Sequence, residues 1–308
     1  MHQFSGIWVP LITPFTPDGK IDFNTLRNLI AQLRDSGVAG FVAFGTTGEP
    51  AALSNDEKQR VIACVVQESG ALPVIAGASG ITPDNVCDQL ALYDSLPLAG
   101  VMITAPHYVR PSQQAIIEFF NDIAARTSLP IVVYDIPYRT GVQMELETLR
   151  AIARIPSVVA IKDCGGDARK TQSLIADQRL AVLSGEDHLL FTTIAQGGAG
   201  GIAASAHLHP RLFVRMHRAL NEGNPNEARA LHHALAPMIN ALFSEPSPAP
   251  VKAVLAALGT GHCTVRKPLL VATESAAQRA FDAYQRVTEI ARVHANCQEA
   301  AFLTLIDE

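Results

Sequence analysis

A chain of 308 residues with 48% hydrophobic and only 17% charged side chains has material for a large, well-buried core, so a globular, enzyme-sized protein is expected. Its 24 basic against 29 acidic residues leave a formal charge of -5, with neither a basic stripe nor an acidic tail. That balance argues against nucleic acid or anionic membrane as a partner.

Taken in chain order, short apolar runs alternate with amphipathic segments of helical length. The strand-like runs are Gly6 to Ile12, Gly40 to Phe44, Pro73 to Ala76, Gly100 to Thr104, Ile131 to Tyr134, Val158 to Ile161, Ala181 to Leu183 and Gly201 to Ala203. Between them lie patterns such as Asp22 to Ser36 and Asn55 to Ser69, with apolar residues at three-to-four spacing and capping residues at their starts. Eight alternations predict a parallel sheet. Without a GxGxxG after the first strand, a closed (β/α)8 TIM barrel over residues 1–222 is favoured over an open doubly wound sheet. After Ala203 the character changes: His209-Pro210 opens a helical stretch to about Asn221, which Gly223 to Asn226 breaks. Helical segments at Glu227 to Phe243, Val251 to Leu258 and Thr273 to Ala295, broken by the turn Pro246 to Pro250, predict a C-terminal helical extension over 223–308.

The five cysteines (Cys64, Cys87, Cys164, Cys263, Cys297) are odd in number and show no CxxC or Cys/His ligand spacing, so free thiols in a reducing cytosol are expected. The start, Met1-His2-Gln3-Phe4-Ser5-Gly6, has no basic n-region and no long apolar h-region, and no stretch reaches the length of a membrane span. A soluble, cytoplasmic protein is the expectation. His207 and His209 make only a weak metal case, and no cofactor or metal is required.

Lys162 closes the β-branched run Ser157 to Ile161, where an ammonium persists only if paired, neutralised or used covalently; the plainer reading is a strand-end cation that reaches water. In a barrel the reacting groups stand at the carboxyl ends of the strands. Collecting those ends gives Gly45 to Glu49, Pro106-His107-Tyr108, Tyr134 to Gly141 and Lys162. An amine nucleophile, hydroxyls that relay protons and a guanidinium that grips a carboxylate suit a Schiff-base lyase acting on a 2-oxo acid. An exposed lysine of pKa about 10.4 is neutral only about once in 2,500 molecules at pH 7, and burial raises that fraction.

The strings Gly-Thr-Thr-Gly-Glu (45–49), Tyr-Asp-Ile-Pro-Tyr-Arg-Thr-Gly (134–141), Ile161-Lys162-Asp163, Ser184-Gly185-Glu186-Asp187 and Pro246-Ser247-Pro248-Ala249-Pro250-Val251-Lys252 resemble the dihydrodipicolinate synthase and N-acetylneuraminate lyase family, in order, from Gly6 to about Tyr284. The resemblance implies a class I aldolase that condenses or cleaves pyruvate with an aldehyde through an imine on Lys162. It further implies a proton relay through Tyr134, Thr46 and Tyr108, and carboxylate binding at the Thr46-Thr47 turn. Arg139 would hold the carboxylate of the second substrate, and Gly185 and Ile202 would line the pocket. Tyr108 would reach into a neighbouring subunit within a homotetramer.

The resemblance puts aspartate semialdehyde first as the aldehyde. A 2-keto-3-deoxy sugar acid or a 4-hydroxy-2-oxo acid is the alternative, and a non-catalytic 2-oxo-acid-binding barrel is the reading from another class. Structural roles stand beside each assignment. Tyr134 could rest its hydroxyl on a backbone carbonyl, Arg139 could pair with Glu186 or Asp187 or be a solvated loop charge, Thr46 and Thr47 could only shape a turn, and Glu49 could satisfy loop amides. Cys164 reads as packing. The chain departs from the lysine-inhibited synthases at Pro50, Asn55 and Lys58 and in a Gly77 to Thr82 stretch one residue short, so lysine feedback is not expected. His107 and Tyr138 also depart from the family pattern, which predicts a reshaped pocket.

Overall fold

The computed structural model describes residues 4–304, with side chains as far as Arg292. Met1 to Gln3 of the N-terminal reading and the Cys297 thiol lie outside these described positions.

Eight parallel strands, β1 (Gly6–Pro10), β2 (Gly40–Ala43), β3 (Val74–Ala78), β4 (Gly100–Thr104), β5 (Ile131–Asp135), β6 (Val158–Asp163), β7 (Ala181–Ser184) and β8 (Gly200–Ile202), close in sequence order into a barrel, β8 pairing with β1. The strands are buried on both faces, which is why they read as continuous apolar runs rather than alternating ones. Side chains including Trp8, Val42, Ile75, Met102, Val132 and Leu183 fill the lumen. A larger apolar layer joins the outside of the strands to the surrounding helices.

The helices begin where their caps dictate. Asp22 accepts from the Thr25 amide at the start of Phe23–Arg34, and Ser54 and Glu57 form a reciprocal capping box before Asn55–Ser69. Helix Pro210–Asn221 is followed by Pro225–Leu242, Ala249–Ala257 and Glu274–Thr304, of which the first two pack on the last. No helix among the described residues is long and apolar enough to cross a membrane.

Two expectations need correction. The prolines at 246–250 do not all lie in a turn: the helix starts at Ala249, with Pro250 in its first turn, where an absent amide proton leaves no bond unmade. The segment after Tyr134 is not simply loop, since Pro137–Thr140 forms one helical turn that ends on Gly141 at φ +79°.

Candidate active site

The register between strands sets the site. Thr104 on β4, Tyr134 on β5, Lys162 on β6 and Leu183 on β7 are successive Cα partners, forming one row at the carboxyl end of the barrel. Lys162 is 5% exposed, so it does not reach water as a strand-end cation would. Its Nζ lies 4.3 Å from the centroid of the Tyr134 ring. Among the described residues it forms no ion pair. Burial pulls its pKa below the ordinary lysine value, against the opposing fields of Cys164, Asp187 and Glu186.

Tyr134 is equally buried, and desolvation keeps its phenol protonated well above the usual range; the Thr46 hydroxyl works in the other direction. No backbone carbonyl among the described hydrogen bonds takes the Tyr134 hydroxyl, so the alternative of a strand-end aromatic tied to the main chain is not what is seen. A poised amine beside a protonated phenol can form and reprotonate an imine.

Behind this pair the backbone comes unusually close. A Cβ built on Gly185 would meet the Lys162 Cε and Cγ at 2.9 Å and overlap the Cys164 sulfur, so only glycine fits. Ile202, at the end of β8, is 1% exposed and belongs to the same inner cluster as Tyr134. Cys164 is buried, and desolvation raises its thiol pKa, which suits packing rather than reactivity.

The turn after β2 is a single 3-10 turn, Thr46–Gly48, held by backbone bonds from Gly48 to Gly45 and from Glu49 to Thr46. Neither threonine side chain caps it, and Thr47 is 6% exposed. Glu49, at φ +53°, is the anchor: it accepts from Lys252 Nζ at 2.5 Å and from the Arg266 amide at 2.8 Å. Its structural reading stands, with the helical extension supplying both partners. A second buried pair, Lys170 Nζ on Asp135 at 2.6 Å, lies one residue beyond Tyr134.

Arg139 is exposed, pairs with neither Glu186 nor Asp187, and stacks over the Tyr138 ring at 5.7 Å. It is Tyr138 that engages Glu186, donating its hydroxyl at 2.9 Å and thereby bridging the loops that follow β5 and β7. Thr46, Thr104, Tyr134 and Arg139 share a cavity of about 340 Å³ with Arg266 and Pro268 of the extension. Lys162 and Ile202, both buried, and the half-buried Gly185 lie beside this cavity rather than on its wall.

Tyr108 is not brought to the others within one chain. It is 85% exposed at φ +71°, with its amide on the Thr140 carbonyl. His207 is no free ligand: its Nε2 accepts from the Ile12 amide and its Nδ1 donates to the Ala204 carbonyl. Asp187, absent from the candidates, is fully buried, receives the Ser205 amide at 2.6 Å and has its pKa pushed up to about 6 by desolvation. Standing between Glu186 and His188, it has no local pattern that sets it apart.

The dihydrodipicolinate synthetase family profile spans residues 3–286. Among curated proteins, a 4-hydroxy-tetrahydrodipicolinate synthase of Sorangium cellulosum is 40% identical over 288 residues, 92% of this chain and 96% of that protein. One from Neisseria meningitidis serogroup B is 39% identical over 279 residues, 89% of this chain and 95% of its own length. Among solved structures, the 4-hydroxy-tetrahydrodipicolinate synthase of Methylacidiphilum fumariolicum superposes with a TM-score of 0.91 at 30% identity, covering 95% of this chain and 99% of that one. With the barrel, the buried amine and the sequence match in agreement, this chain belongs to the dihydrodipicolinate synthetase family, lyases of the class I aldolase type.

Proposed function

We propose that this protein is a 4-hydroxy-tetrahydrodipicolinate synthase that joins pyruvate to aspartate semialdehyde through a Schiff base on Lys162. The observation that carries this reading is a buried lysine with an aromatic ring, and no carboxylate, as its close partner. Neutral Lys162 attacks the ketone carbon, water leaves, and the iminium acidifies the adjacent methyl group. Loss of that proton gives an enamine whose carbon attacks the aldehyde. Tyr134, with Thr46 against its hydroxyl, carries the protons.

The Thr46-Thr47 turn, pinned by Glu49, receives the pyruvate carboxylate, and Gly185 leaves room for the Lys162 side chain next to the pocket, with Ile202 in the inner apolar cluster beside it. Arg139, with no carboxylate of its own, takes the carboxylate of the aldehyde partner. Tyr108, exposed on a strained backbone, completes the relay in the pocket of a second copy, so the working form is a homotetramer built from dimers. The expected location is the cytoplasm. The Tyr138–Glu186 bridge, next to Arg139 and a departure from the family pattern, favours a second reading, a lyase on 2-keto-3-deoxy sugar acids.

Borohydride with pyruvate should reduce an adduct onto Lys162, identified on its tryptic peptide by mass spectrometry. An unmodified Lys162 under turnover conditions rules out the mechanism. Condensation of pyruvate with aspartate semialdehyde, run beside cleavage of 2-keto-3-deoxygluconate, separates the two readings. Arg139→Ala should raise KM for the semialdehyde by about 10-fold or more while sparing that for pyruvate, the loss of a charged hydrogen bond.

A further inference from the structure

The chemistry above leaves a buried hydroxyl of the pocket unused. Thr104 ends β4 as the Cα partner of Tyr134, and its side chain lines the same cavity as Tyr134 and Arg139. Its Oγ is buried and has no hydrogen-bond partner among the described residues. The other buried side-chain atoms in that condition, on Tyr93, Asp135 and Ser205, are not on the cavity wall. A buried hydroxyl without a partner in the protein costs stability, and a valine of the same shape would avoid that penalty. A strand position that breaks local consistency inside a ligand cavity points to the ligand.

We infer that Thr104 is a specificity-determining residue whose hydroxyl rotates to hydrogen-bond an oxygen of the aldehyde partner. The inference rests on the reading of Lys162 and Arg139 given above. Pyruvate, tethered on β6 with its carboxylate at the turn after β2, stretches across the lumen. Neighbouring strands lie about 4.8 Å apart, so the backbone of Thr104, two strands from Lys162, is roughly 10 Å away. That flank, shared with Arg139, is left to the second substrate. The class selected is an oxygen-bearing aldehyde with a carboxylate, held by a guanidinium at one end and a hydroxyl along its length.

The test is Thr104→Val, with Thr104→Ser beside it, in the full-length enzyme. The valine variant should melt about one to three degrees higher than wild type while its KM for aspartate semialdehyde rises about three- to tenfold, the net worth of one neutral hydrogen bond. Its KM for pyruvate and its borohydride trapping should not move, and serine should restore the aldehyde KM. A lower melting temperature with unchanged kinetics would place the hydroxyl's partner inside the protein and overturn the inference, as would a change confined to pyruvate. If the wild type traps pyruvate but never condenses the semialdehyde, the proposed function fails instead. Thr104 is then scored on cleavage of 2-keto-3-deoxygluconate, where an unchanged KM in the valine variant overturns it.

Discussion

Three lysines of this protein are almost completely buried, and they divide into two kinds. Lys170 and Lys252 each meet a buried carboxylate, Asp135 at 2.6 Å and Glu49 at 2.5 Å, and each also donates to a backbone carbonyl, of Met144 and Thr264 respectively. Lys162 meets the face of Tyr134 instead. Burial lowers the pKa of both Lys162 and Lys252, so desolvation alone does not distinguish a reagent from a strut. The partner does. At Lys252 the contacting Glu49 carboxylate opposes that lowering directly, whereas Lys162 has no carboxylate within ion-pair reach and only the more distant fields of Asp187 and Glu186 against it, which favours a free lone pair.

The comparison can be broken most sharply at the phenol. Tyr134→Phe should lower kcat by about 10² to 10⁴ through loss of a positioned acid-base group, with imine formation on Lys162 partly retained; wild-type turnover would reduce Tyr134 to scaffolding. Stability should then separate the lysines. Lys252→Met leaves Glu49 buried and unpaired and should destabilise by about 3 to 5 kcal/mol in denaturant unfolding, whereas Lys162→Met removes an unpaired buried amine and should leave stability level or raised. Equal losses in both variants would abolish the distinction.

A third prediction concerns a buried base that binds no carboxylate at all. The His207 pKa falls from 6.5 to about 4, because burial disfavours its charged form. Between those values the unfolded chain takes up a proton that the folded protein refuses. This contribution is therefore fully present above pH 6.5 and is lost as pH falls toward 4, by about 3 kcal/mol at most. Urea midpoints for wild type and His207→Gln should diverge least in the acid part of that window, and parallel curves would show that His207 does not titrate there. The smallest effect is a null one: millimolar lysine should shift neither activity nor melting temperature, and saturable inhibition would contradict it.

Much of the architecture was legible because buried parallel strands announce themselves as unbroken apolar runs, and all eight fell where the runs of β-branched and small residues lie. Lys162 was legible for the same reason, as a charge in the wrong company. The two ion pairs were not. Lys252 and Glu49 are 203 residues apart, and only the folding of the extension against the turn after β2 brings them together. Asp135 follows Tyr134 directly, but Lys170 sits next to the exposed Arg169 at the start of its helix, and nothing local singles it out. Thr104 was read as the last residue of a strand; its significance depends on its hydroxyl lacking a partner, a property that no one-dimensional pattern records. Tyr138 drew notice as a departure, though its bond to Glu186 required two loops to be seen side by side.

The missing side chain at Gly185 has a consequence for timing. Because the backbone at Gly185, just past β7, runs close to the methylene groups of Lys162, those methylenes are confined on that side. Freezing a lysine side chain takes up to about 2 kcal/mol of rotational freedom. Here that ordering happens once, when the chain folds, and not again at each catalytic cycle. On the proposed mechanism Lys162 would meet an incoming ketone as an arm already set, leaving substrate binding only the ketone to align.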